Sequence, residues 1–158
     1  MYISIQQEDF DVAEVSRKLC AGRIDIGAIV TFSGLVRDRS VDRELVAMHL
    51  EHYPGMTESA LEAISQQALD RWDIDDLAII HRVGRLQPCD NIVMVVVISA
   101  HRKEAFEASE FLMDYLKSRA PFWKKDITRN GEAWVESKLS YKKAADNWKS
   151  SIDRAVYR

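Results

Sequence analysis

The stretch from Ser99 to Lys125, SAHRKEAFEASEFLMDYLKSRAPFWKK, constrains the fold more tightly than any other part of the chain. The apolar run Ile92 to Ile98 leads into it as a buried strand. Ala105, Ala108, Leu112, Tyr115 and Leu116 then recur at helical spacing, and Pro121, which has no amide proton, forbids the helix from continuing. The pattern sets His101 and Arg102 at one end of a helix and Lys117, Lys124 and Lys125 at or just past the other. A helix from Arg102 to Lys117 is roughly 22 Å long at about 1.5 Å per residue, so the two cationic groups do not converge on one small ligand within one subunit. Either they serve different ligands, or a second copy of the chain completes the site.

The remaining segments alternate short strands with well-formed helices, without repeats or an obvious linker. Val12, Val15 and Leu19 form an apolar stripe that stops at Gly22, a helix end; Ile26 to Val36 then reads as a long strand. Arg37 to Arg43 is charged, apolar only at Val41, and reads as a mobile loop. Leu45 to His52 alternates like a strand. Ser59 and Glu62 have the spacing of a capping box for a helix carrying Leu61, Ile64, Ala68 and Trp72. Leu77 to Val83 and Asn91 to Ile98 form a strand pair joined by a Pro-containing turn, and Phe122 to Thr128 pairs with Glu132 to Glu136 across Asn130-Gly131. The order αββαββαββ predicts an α+β fold with largely antiparallel strands, as one domain over residues 1–138 and a helical or frayed tail over 139–158.

Composition narrows the function. In 158 residues that are 47% hydrophobic there is enough apolar material for one real core, and 22 Lys+Arg against 25 Asp+Glu leave a net charge of -3. That balance argues against a broad nucleic-acid or anionic-membrane surface, so the basic residues must act locally, in a pocket. The start MYISIQQEDFD reaches acidic residues too soon for a signal peptide, and the longest apolar run falls far short of the ~20 residues of a membrane span. A cytoplasmic location is expected. Cys20 and Cys89 are far apart and show no metal-ligand spacing, which predicts two reduced thiols and neither metal nor disulfide.

Each basic residue has a bland explanation beside the functional one. Lys117 in a last helical turn gains about 0.3–1 kcal/mol from the helix dipole alone. Of Lys124 and Lys125, strand alternation allows only one to share a face with Phe122. Gathering these cations around the Pro121 corner costs repulsion that an anion would relieve. His101 and Arg102 follow a strand and open a helix, with Ser99 as a candidate N-cap, at a junction type that often holds anions. Arg37 closes the strand containing Phe32 and Gly34. His49, His52 and His81 show no ligand spacing and read as satisfied or solvated histidines.

At these residues the chain resembles the large, catalytic subunit of molybdopterin synthase. The matching motifs are GAIVTFSGLVRD at 27–38, LEHYPGM at 50–56, IIHRVGRLQPCD at 79–90, SAHRKEAFEASEFLMDYLK at 99–117 and APFWKK at 120–125, in the family's order. The resemblance implies an α/β hammerhead fold with an additional antiparallel β subdomain. It also implies a homodimer of these subunits with a small ubiquitin-like sulfur carrier at each end, making a heterotetramer, and a role in molybdenum cofactor biosynthesis. The implied substrate is cyclic pyranopterin monophosphate; sulfur arrives as a thiocarboxylate on the carrier's C-terminal glycine and leaves as the dithiolene of molybdopterin. Carried over by position, Lys117 and Lys124 are the catalytic lysines, Arg37, His101 and Arg102 hold substrate, and Phe32 and Met113 lie near that pocket. His101 and Arg102 are implied to come from the neighbouring subunit. The resemblance implies no cofactor and no metal at this step. It also singles out Cys89, in a turn where relatives often carry glycine. Two rival functions are a non-catalytic anion-binding scaffold and a thioester hydrolase using the same cations as an oxyanion site.

Overall fold

The computed structural model describes residues 1–38, 45–135, 143 and 146–148. Its elements are β1 (Tyr2–Gln6), α1 (Val12–Cys20), β2 (Ala28–Leu35), β3 (Leu45–His52), α2 (Met56–Arg71), β4 (Asp76–Arg82), β5 (Gly84–Leu86), β6 (Asn91–Ser99), α3 (Arg102–Ser118), β7 (Phe122–Thr128) and β8 (Gly131–Val135). They form two four-stranded sheets, ordered β1-β4-β6-β2 and β5-β3-β7-β8. The β1–β4 pair is parallel and the other pairs are antiparallel. The fold is α+β, and its second sheet is antiparallel throughout.

The apolar run in β6 is continuous because both faces of the first sheet are covered. Odd-numbered Val93, Val95 and Val97 join Leu77 and Ile79 in a cluster with Leu61, Ile64 and Ala68 of α2 and Ala105, Phe111, Leu112 and Leu116 of α3. Even-numbered Met94, Val96 and Ile98 join Ala78 and Ile80 on the opposite face, under Val12, Val15 and Leu19 of α1. Each fully buried Leu or Val contributes about 1.5–3 kcal/mol, so the central strands and α3 form the rigid part of the molecule. A third cluster, Val36, Met48, Leu50 and Leu86, supports the second sheet.

Four expectations are corrected. The N-terminal Tyr2–Gln6 is a strand, aligned with Ala78–Arg82 of β4. The connection after Val83 contains β5, which leaves the first sheet at Gly84 (φ +85) and pairs with Met48–Leu50 of β3; the element order is therefore βαββαβββαββ. α2 begins three residues before the Ser59 box, because Gly55 (φ +82) turns the chain and Glu58 accepts a 2.6 Å hydrogen bond from the Gly55 amide. Ser99 ends β6, and the N-cap of α3 is His101.

The predicted loop at Arg39 to Arg43, Glu136, and most of the tail from Leu139 lie outside the described residues. In the described part of the tail, Trp148 meets Trp72 and Phe111 edge-on at 5.7 and 5.6 Å. Its indole Nε1 donates a 2.7 Å hydrogen bond to Asp114 of α3.

Candidate active site

The lysines flank a corner whose backbone bonds are local. The amides of Arg119 and Ala120 both donate to the Tyr115 carbonyl, at 2.8 and 3.1 Å, and the Phe122 amide donates to Ala120 O at 2.8 Å. These bonds end α3 and turn the chain into β7 at Pro121. The fully buried Thr57 clips the corner from α2: its hydroxyl donates to Pro121 O at 3.1 Å and accepts from the Tyr53 amide at 2.9 Å. Lys117 is exposed at this end of α3, and half-buried Met113 lies one turn earlier on the same helical face, packed on the main core.

Alternation along β7 puts Phe122 and Lys124 on one face and Trp123 and Lys125 on the other. The Lys124 ammonium stands 3.3 Å from Asp126 Oδ1. Lys125 is engaged elsewhere, 3.0 Å from Glu132 Oε2 and 5.0 Å from the centre of the Trp134 ring. Of the two lysines, Lys124 therefore shares the face of Phe122.

That face meets a histidine. His81, at the end of β4, is buried and stacks on Phe122 with ring centroids 3.8 Å apart and planes 15° from parallel. Its Nδ1 lies 2.8 Å from the Arg82 carbonyl; a carbonyl only accepts, so Nδ1 carries the proton and Nε2 a lone pair. Burial holds the imidazole neutral, with its pKa lowered to about 4, and the charges of Lys117 and His52 add to that effect.

The first sheet decides which other predicted residues share this end. β2 and β6 are antiparallel, with Ala28 opposite Ser99 and Leu35 opposite Asn91. α3 starts at the Ser99 end and packs back along β6 and β2, so Lys117 and Arg37 lie toward the Asn91 end. Arg37 is exposed and follows Val36, whose amide and carbonyl are tied to Asp90 and Cys89 at 2.9 and 2.8 Å. Phe32 lies between on the edge strand and is 39% exposed.

His101 and Arg102 stand at the other end of α3, both exposed. The His101 amide donates to Ser99 Oγ at 3.2 Å, while Ser99 Oγ donates to Asp73 O at 2.9 Å. Gly27 locks this junction to β2: its amide bonds Ser99 O, and a Cβ there would lie 2.2 Å from the Ala100 carbonyl oxygen. One chain thus brings Arg37, Met113, Lys117 and Lys124 toward one end and keeps His101 and Arg102 at the other.

Sequence reasoning passed over His81, Thr57 and Asp126. The available signal for His81 was one polar side chain at the end of the apolar run Leu77 to Ile80, and for Asp126 its same-face spacing from Lys124. His52 lies 3.3 Å from Glu58 and His49 3.5 Å from Glu51. Among the described residues, no group of three or more His, Cys, Asp or Glu could hold a metal ion. Both cysteines are free thiols, Cys20 half-buried and Cys89 exposed.

A family profile described as MoaE protein matches residues 5–119. The chain belongs to the MoaE family. A Mesorhizobium japonicum relative named molybdopterin synthase catalytic subunit is 52% identical over 153 residues, covering 96% of this chain and 95% of its own. The solved MoaE protein from Burkholderia ambifaria superposes with a TM-score of 0.80 at 49% identity, over 94% of this chain and 97% of that one. The molybdopterin synthase structure from Staphylococcus aureus gives a TM-score of 0.77 at 30% identity, over 84% and 95%. The MoaE fold therefore extends over nearly the whole chain.

Proposed function

We infer that this MoaE-family chain is an enzyme of molybdenum cofactor biosynthesis, the catalytic subunit of a molybdopterin synthase, and that it works with a small sulfur-carrier subunit. It transfers sulfur from the thiocarboxylated C-terminus of that carrier to cyclic pyranopterin monophosphate. Lys117 and Lys124 hold the anionic carrier tail and stabilise charge as its sulfur attacks the pterin; water then cuts the carrier's acyl–sulfur bond and releases the carrier as a carboxylate. Two sulfurs require two carriers, so the first intermediate stays bound between deliveries. Arg37, His101 and Arg102 grip the substrate phosphate, a task that suits the bidentate guanidinium fork, and Phe32 and Met113 line the pocket. Residues 1–138 form the catalytic domain, with 139–158 as its tail. Among the described residues no helix is long and apolar enough to cross a membrane, in keeping with work in the cytoplasm.

The observation that carries this reading is the length of α3. Lys117 and Arg102 sit at opposite ends of one unbroken helix, Arg102–Ser118, so a site using both must draw them from two copies of the chain. The homodimer expected for the family supplies that second copy. The experiment is product formation from cyclic pyranopterin monophosphate and thiocarboxylated carrier, with and without Lys117→Ala. Carrier-dependent product lost in the variant supports the reading. Release of free acid from small thioesters without a carrier would instead favour a hydrolase.

A further inference from the structure

Lys117 and Lys124 belong to different layers. Lys117 ends the helix that rides on the first sheet, whereas Lys124 is a strand residue of the second. Between them runs the short Pro121 corner, whose bonds to Tyr115 and Ala120 are internal to the turn. The Thr57 hydroxyl ties Pro121 O to α2, and a second tie, on the Phe122 side chain, acts on the strand that carries Lys124.

We propose that His81 is a positioning residue of the sulfur-transfer site: its ring, pressed flat against Phe122, pins the sheet that carries α3 to the sheet that carries Lys124. The inference rests on the lysine roles given above. His81 cannot yield, because its backbone lies opposite Ile5 on one side and Val93 on the other, in the middle of the first sheet. Its Nδ1–H bond to the Arg82 carbonyl fixes the plane of the ring. Phe122 is also held within its own sheet, since it pairs with His52 in the β3–β7 ladder and His52 lies 3.3 Å from Glu58 in the first turn of α2. Phe122 begins β7 directly after Pro121 and shares a face with Lys124, so a shift of its ring is passed to Lys124 through rigid strand backbone. A near-parallel stack at 3.8 Å blocks movement of either ring toward the other.

The choice of histidine follows from the same geometry. A charged ring there would repel Lys117 and compete with it for the carrier's carboxylate. Burial keeps the imidazole neutral, so it supplies a flat polar plate that bonds its own strand and adds no charge to the site.

The test compares His81→Phe, which keeps a flat ring against Phe122, with His81→Leu, which fills similar volume without one. Turnover at saturating carrier and KM for the pterin are measured in both, with folding checked by circular dichroism. His81→Leu is expected to lose about 10- to 100-fold in kcat with a smaller change in KM for the pterin, since the strand that His81 holds carries Lys124 and none of the phosphate-gripping residues, and His81→Phe to recover most of that loss. A fully active His81→Leu, a His81→Phe as impaired as His81→Leu, or a loss confined to KM would each overturn the inference. Should His81→Leu not fold, His81→Gln takes its place with the same expected loss and the same overturning results. Wild-type protein run alongside separates the two levels: no product from it rejects the synthase reading, whereas product from it with unaffected variants rejects the role of His81 alone.

Discussion

The Lys124 ammonium stands 3.3 Å from Asp126 Oδ1, an oxygen shielded from solvent that accepts no hydrogen bond from the described residues. Two residues apart on one face of β7, the pair is close enough for attraction and lacks hydrogen-bond geometry. A buried carboxylate oxygen in that state draws the nearest ammonium toward itself, and so orients Lys124 along the strand. Asp126→Asn removes the charge while keeping the shape. Turnover is expected to fall about 10-fold, with the fold intact by circular dichroism; unchanged turnover would show that Lys124 needs no such guide.

The neutral state of His81 links stability to pH. Its folded pKa is about 4 against 6.5 for an ordinary histidine, so between those values the unfolded chain takes up a proton that the folded protein refuses. Stability is therefore lost as pH falls from about 6.5 through about 4, by up to about 3 kcal/mol, and nothing is lost above that window. Lys117 and His52 both oppose the proton, and only the Arg82 carbonyl bond works the other way. Urea unfolding of wild type and His81→Phe at a series of pH values isolates the effect. The stability gap between them should shift in favour of His81→Phe below pH 6.5, and a pH-independent gap would contradict the assignment.

Cys89 has φ +76, in the left-handed region that glycine adopts freely and other residues enter at a cost. The sequence resemblance led to glycine being expected at this turn, and the positive φ of Cys89 is the conformation that glycine would suit. Cys89→Gly is expected to be stabilising by about 0.5–1 kcal/mol in urea unfolding, and a destabilised variant would rule out strain at this turn. Neither cysteine has a role in the proposed chemistry, so the Cys20→Ser, Cys89→Ser double variant should keep full turnover. A folded but inactive double variant would demand a thiol relay.

A shared site makes a further prediction. Lys117→Ala and Arg102→Ala variants are each expected to be inactive alone. In a heterodimer of the two, one site keeps Lys117 from one chain and Arg102 from the other. Random mixing of subunits should restore about a quarter of wild-type activity, half of the dimers carrying one intact site of two. Co-expression with separately tagged chains provides the measurement; no recovery would place both residues in the same subunit's site.

The fold was legible where burial wrote a period into the chain. The continuous apolar β6, the stripe of α3 and the stop at Pro121 led to the helix–corner–strand unit that carries the lysines, and β7 pairs with β8 as the Asn130-Gly131 turn suggested. β1 and β5 were not read because their strand character comes from distant partners. Tyr2–Gln6 is a strand by virtue of pairing with β4, and Gly84–Leu86 by virtue of pairing with β3; both partners lie far away in sequence. The α2 start was misplaced because Ser59 and Glu62 imitate a capping box one turn inside the helix begun by Gly55. Spacing alone drew attention to Lys117 and to the Lys124-Lys125 pair, and the family resemblance chose Lys124 and added Arg37, Phe32 and Met113. The His81–Phe122 stack joins residues from two sheets and has no signature along the chain.

The central claim is that Lys117, at the end of α3, is the group around which sulfur transfer is organised. Molybdopterin formation from cyclic pyranopterin monophosphate and thiocarboxylated carrier should be readily detected with the wild type. With a folded Lys117→Ala variant it should fall by about 100-fold or more. Wild-type product formation that survives the substitution, or a wild type that makes no product with a competent carrier, would contradict the claim.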